Sequence, residues 1–197
     1  GRTRRSMGRL GRTLEARGFR TWSMTYPSRR CSLGELASIV GDRIEADCGD
    51  QPLMAVTHSL GGIVLRHLSD RFAWGPCVML APPNAGSRAA QWGQRFWIGR
   101  RLFGPVLGDL ARADHWPPPP PRTLVIAGTR GLAWSSPPSW LFFCSRIFDR
   151  GEAHDGTVAL SETRHGGADA HVSRVAGHST IMLNPGVIDA SIEWLSG

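Results

Sequence analysis

The chain has 197 residues, 41% hydrophobic and 20% charged, enough for one folded domain with a buried core. No apolar run approaches the roughly 18 residues of a membrane span, and no secretory leader is visible, which points to the cytoplasm. The net charge is +7 and all 23 basic residues are arginine, an excess that would attract an anionic surface; the single tyrosine and the lack of a nucleic-acid-binding motif argue against nucleic acid and leave peripheral contact with anionic lipid open.

In chain order, residues 4–17 read as an amphipathic helix. Met7, Leu10 and Leu14 recur at helical spacing, and the surrounding arginines take the wet side. Phe19 to Tyr26 reads as a strand stopped by Pro27. Ser32 and Glu35 form a capping box for a helix whose stripe is Leu33, Leu36, Val40 and Ile44. Pro52 to Thr57 reads as a buried strand, and Gly62 to Leu68 as a helix directly behind it. Cys77 to Leu80 is the core of the next strand, closed by Pro82 and Pro83.

Residues 85–116 have no clean strand signal and read as irregular helices rich in Trp92, Phe96, Trp97, Ile98, Leu102 and Phe103. Pro117 to Pro121 form a stiff spacer. Thr123 to Ala127 is a strong strand, and residues 131–150 form an insertion with an apolar patch at Trp140 to Phe143. His171 to Val175 reads as the last strand. Asn184 and Pro185 open the last helix as N-cap and first helical residue, with Ile188, Ile192 and Leu195 as its stripe. Strands alternating with helices imply a mostly parallel sheet covered on both faces, in one α/β domain over residues 1–197.

Cys31, Cys48, Cys77 and Cys144 are scattered and form no C-x-x-C pair, so they read as structural thiols; neither a metal site nor a cofactor is expected.

The stretch that carries chemistry is Val56-Thr57-His58-Ser59-Leu60-Gly61-Gly62. A buried strand passes through a small-residue turn straight into a helix. A serine there is lifted on a sharp bend with its hydroxyl exposed. Side chains at Gly61 or Gly62 would collide with the crowded turn. The Leu60 N–H, at the positive end of the helix, points where an oxyanion would form.

T-H-S-L-G-G resembles the nucleophile elbow of the α/β-hydrolases, in particular bacterial lipase-like and esterase-like members, with Thr57 where G-x-S-x-G has its first glycine. The resemblance implies a serine hydrolase cleaving carboxylic esters, through partners in the order Ser, Asp, His. Ala176-Gly177-His178-Ser179, between the last strand and last helix, resembles the segment that carries the base, making His178 the candidate. His58 adjoins Ser59 but projects away from it; His154, His165 and His171 are weaker candidates. His154-Asp155-Gly156-Thr157-Val158 resembles the acid loop and makes Asp155 the orienting carboxylate, with Asp149 as the alternative.

Leu80 to Ser87 resembles the segment after the following strand in the same relatives. Residues 85–116 and 131–150 fall where this fold builds lids and acyl pockets. A strand ending in His-Gly, which supplies a second oxyanion N–H in the family, would precede Gly1; the chain reads as beginning after it. The same triad also serves thioesterases and acyltransferases, and a non-catalytic fragment that binds lipid or a partner is the remaining alternative.

Overall fold

Among the described residues, four strands form one sheet in the order β1 (Leu53–His58), β2 (Trp74–Leu80), β3 (Thr123–Gly128) and β4 (Ala170–Arg174), every neighbouring pair parallel. His58 pairs with Leu80, Leu80 with Ile126, and Gly128 with Arg174, so the C-terminal strand ends lie along one edge. The computed structural model describes residues 4–97, 99, 101, 104–113, 115–131 and 147–197. Ile98, Leu102, Phe103, Cys144 and the Trp140 to Phe143 patch of the 131–150 insertion lie outside the described residues.

Parallel strands need long crossovers, and helices in those crossovers cover both faces of the sheet. On one face, α1 (Gly8–Glu15) and α6 (Pro185–Ser196) bury Leu10, Leu14, Ile188, Ile192 and Leu195 against Val78, Leu80, Leu124 and Ile126. On the other, α2 (Leu33–Cys48) packs Leu36, Val40 and Ile44 with Ile63 and Val64 of α3 (Leu60–His67), while Leu65 of α3 meets Cys77, Met79 and Val125. The alternation Cys77, Met79 against Val78, Leu80 is the period of two that sends successive strand side chains to opposite faces. Each fully buried aliphatic side chain contributes about 1.5–3 kcal/mol.

The helix starts form as their sequences imply. Ser32 and Glu35 cap α2 reciprocally, and the Asn184 side chain accepts the Val187 N–H with Pro185 in the first turn of α6. The predicted helix over 4–17 is shorter: a 3-10 turn at Arg4–Met7 leads into α1. Within 85–116 stand α4 (Arg88–Gln94) and α5 (Val106–Ala111). No helix among the described residues is long and apolar enough to cross a membrane.

The predicted strand Phe19 to Tyr26 does not form. The segment carries no ladder bonds and is held to α2 and its exit by side chains: Trp22 donates Nε1–H to Asp47 at 2.9 Å, and Arg20 donates to Gln51. Together with β1, the edge strand, it lines a groove of about 720 Å³. A strand-like composition becomes a strand when a partner backbone lies alongside, and here the groove intervenes.

Candidate active site

β1 ends at His58 and α3 begins at Leu60, so Ser59 alone makes the bend. Its φ of 52° and ψ of −121° lie where L side chains are rarely found, a strain of order 1–3 kcal/mol. Two backbone bonds hold it there, Ser59 N–H to Leu80 O and Gly62 N–H to Ser59 O, both 2.9 Å. A Cβ at Gly62 would sit 2.9 Å from Pro82 Cβ, so that position requires glycine. At Gly61 a Cβ would meet Thr57 Cβ at an ordinary 3.5 Å. The crowding predicted for both glycines is therefore confined to Gly62. Leu60 opens α3, and its N–H belongs to the first turn, whose donors find no acceptor within the helix.

His178 stands in the loop between β4 and α6, its Nε2 3.0 Å from Ser59 Oγ. Its Nδ1 lies 2.7 Å from Asp155 Oδ2, and its backbone N–H donates to Asp155 O at 2.8 Å. Asp155 is 1% exposed, and its other oxygen accepts the N–H groups of Thr157 and Val158 at 3.0 and 2.8 Å. An ionised carboxylate accepts and cannot donate, so the imidazole proton belongs on Nδ1. Nε2 then presents its lone pair to the serine hydroxyl. Residues 59, 178 and 155 thus form a continuous hydrogen-bonded chain, although they lie on three separate loops.

The rival residues are engaged elsewhere. Asp149 is a solvent-facing carboxylate, 89% exposed, paired with Arg88. His154 stacks on Phe148 at 4.3 Å and accepts the Gly156 N–H; burial pushes its pKa below 6.5. His165 meets Arg66, and His171 meets the Thr163 hydroxyl. His58 turns its Nε2 to the carbonyl oxygen of His178 at 2.9 Å rather than to Ser59. Among the described residues, no group of three or more His, Cys, Asp or Glu is arranged to hold a metal ion.

Two contributors escaped the sequence reading. Gly128 ends β3 where the loops that carry Asp155 and His178 converge, and a Cβ there would lie 2.5 Å from Ala176 O and 2.8 Å from Asp155 Cβ. No turn motif marks it, because the crowding comes from residues 27 and 48 positions away. Arg66, 2% exposed, donates to Pro117 O, Asn84 O and Trp116 O at 2.6, 2.8 and 3.1 Å, and burial pushes its pKa down to about 10. It ties the helix behind Ser59 to the proline-rich spacer and to the Leu80 to Ser87 segment. An arginine within Ile63-Val64-Leu65-Arg66 gives no local sign of such a role.

No protein-family model and no curated protein matches the sequence. Solved structures do match its shape. A Bacillus licheniformis lipase, BlEst2 in its mature form, superposes with a TM-score of 0.64 at 17% identity, over 87% of this chain and 77% of that one. The metagenomic carboxyl esterase MGS0156 gives 0.61 at 19% identity, covering 81% of this chain and 55% of the esterase. A monoacylglycerol lipase from Paleococcus ferrophilus gives 0.59 at 17% identity, covering 99% and 90%. At such identities the likeness is one of fold.

Proposed function

The chain has the α/β-hydrolase fold, and from that premise we propose that it is a serine hydrolase of carboxylic esters, with Ser59 as nucleophile, His178 as base and Asp155 as orienting acid. The observation that carries this reading is the chain of contacts from Ser59 Oγ to His178 Nε2 at 3.0 Å and from His178 Nδ1 to Asp155 Oδ2 at 2.7 Å.

In the proposed reaction Ser59 Oγ attacks the ester carbonyl carbon while His178 Nε2 takes the hydroxyl proton. The developing oxyanion faces the Leu60 N–H at the start of α3. Collapse breaks the carbon–oxygen bond to the alcohol, which leaves with the proton from His178, and the acyl group stays on Ser59. Water then gives a proton to His178 and attacks the acyl carbon, and the proton returns to Ser59 as the acid leaves. Asp155 holds the Nδ1–H tautomer and stabilises the imidazolium formed in both steps. The substrate reading, a lipid or small-molecule ester, is supported by the lipases and esterase that share the fold. Thioester hydrolysis or acyl transfer would use the same groups with another leaving group or acceptor.

A fluorophosphonate, which phosphonylates activated serines, tests the assignment. Wild-type protein is expected to label and Ser59→Ala to remain unlabelled. A wild type that stays unlabelled, or a Ser59→Ala that labels equally, would overturn the reading. Rates on p-nitrophenyl esters and thioesters of increasing chain length then separate the substrate classes.

A further inference from the structure

Residue 178 is held at several points. Its backbone N–H and its ring Nδ1 both go to Asp155, so acid and base loops are tied to each other. Ala176 O, two residues earlier, accepts the Arg130 N–H at 3.1 Å, which ties the same loops to the end of β3. Neither set of bonds refers the imidazole to β1, the strand that presents the nucleophile. Besides the ring's own contact with Ser59 Oγ, a bond that does so comes from His58, the residue immediately before Ser59. Its Nε2 lies 2.9 Å from His178 O, and the two rings stand 4.8 Å apart at 48°.

A carbonyl oxygen only accepts, so the His58 nitrogen facing it carries a hydrogen. His58 is itself a fixed post, since it pairs with Leu80 at the end of the β1–β2 ladder. The loop it holds turns Val175 out to solvent at 67% exposed while Ala176 beside it is buried at 4%. We propose that His58 is a positioning residue: its Nε2–H clamps the backbone of His178 to the nucleophile strand and sets the distance from imidazole to Ser59 Oγ. This inference rests on the reading of Ser59 as nucleophile and His178 as base. It also accounts for a histidine beside the nucleophile that takes no proton from it.

Without the clamp, the acid and base move as a pair against Ser59. A misplacement of about 1 Å costs on the order of a hundredfold in rate. His58→Phe keeps a ring against His178 and removes the N–H; His58→Gln restores an N–H near the position of Nε2. The experiment measures fluorophosphonate labelling rate, kcat and KM on a p-nitrophenyl ester, Tm, and hydrogen exchange across residues 175–180. The expected result is a labelling rate and kcat lowered about tenfold to a hundredfold in His58→Phe, with KM unchanged and exchange of the 175–180 amides accelerated. In His58→Gln the labelling rate, kcat and amide exchange are expected to return to within about threefold of wild type. If His58→Phe does not fold, His58→Asn, whose amide is too short to reach the carbonyl, is expected to show the same losses.

His58→Phe labelling within twofold of wild type would overturn the inference. So would His58→Gln as slow as His58→Phe, which would mean that the N–H is not what matters. Ser59→Ala run in parallel separates the two levels: label on that variant defeats the nucleophile assignment, whereas a Ser59-dependent label indifferent to residue 58 defeats the clamp alone. The exchange measurement needs no turnover.

Discussion

Substituting Gly128 by alanine adds one methyl group at the point where the loops that carry Asp155 and His178 meet. The new Cβ would lie 2.5 Å from Ala176 O and 2.8 Å from Asp155 Cβ, where ordinary contact begins near 3.4 Å. Relief therefore requires shifts of about 0.9 Å on the Ala176 side and about 0.6 Å on the Asp155 side. Both loops carry residues of the 3.0 and 2.7 Å contacts, which have little slack before they cease to be hydrogen bonds. Overpacking of this kind costs about 1–3 kcal/mol of stability. If Ser59, His178 and Asp155 react as proposed, displacing them by close to 1 Å costs roughly a hundredfold in rate. Gly128→Ala is thus expected to fold, to shift its urea midpoint down, and to label with fluorophosphonate about a hundredfold more slowly than wild type. Gly34→Ala, in the first turn of α2 with nothing within 4 Å of the added atom, is the control: it should label normally with stability unchanged or raised. Labelling of Gly128→Ala within twofold of wild type at an unchanged Tm would refute the claim that this glycine sets the site geometry.

Arg66→Met removes a buried guanidinium and leaves Pro117, Asn84 and Trp116 carbonyls without that donor. A loss of at least about 2 kcal/mol in urea denaturation is expected, and Arg66→Lys should recover little because one ammonium cannot reach the same fan of acceptors. Stability should also fall on mild acidification. Burial lowers the pKa of His67, His154, His165 and His171 below 6.5 in the fold, so the unfolded chain binds more protons as pH drops past that value. Their contribution is present above pH 6.5 and is lost as pH falls toward the depressed values. Glu162, whose carboxyl burial pushes up from 4.5, opposes them at lower pH. Urea midpoints should therefore decline between pH 7 and 6, and a flat or rising series would show that these imidazoles are not held neutral.

The parts legible in the sequence are those whose causes lie within a few residues. The bend at Ser59 follows from an apolar strand run, small residues and a helix start in immediate succession. The caps at Ser32 and Asn184 are contacts over three positions. β2 and β3 announce themselves as continuous apolar runs because both their faces are covered. The strand read at Phe19 to Tyr26 failed on the complementary ground: side-chain composition marks a residue as fit for a sheet, but a ladder needs a second backbone at hydrogen-bonding distance, which no local pattern encodes.

The tertiary structure decided what depends on distant segments meeting. Asp155 and Asp149 are both acidic residues in turns; burial of one at 1% exposure beneath His178, and exposure of the other beside Arg88, distinguishes them. Gly128 matters through Ala176 and Asp155, Arg66 through the spacer, and His58 through a carbonyl 120 positions away. Chain chemistry at short range set the bend, the caps and the apolar runs, since a backbone's torsions and nearest contacts are properties of neighbours. The convergence of three loops at the ends of the strands, and the glycine that leaves them room, came from packing helices onto both faces of a parallel sheet, because that packing alone determines which remote atoms share a volume.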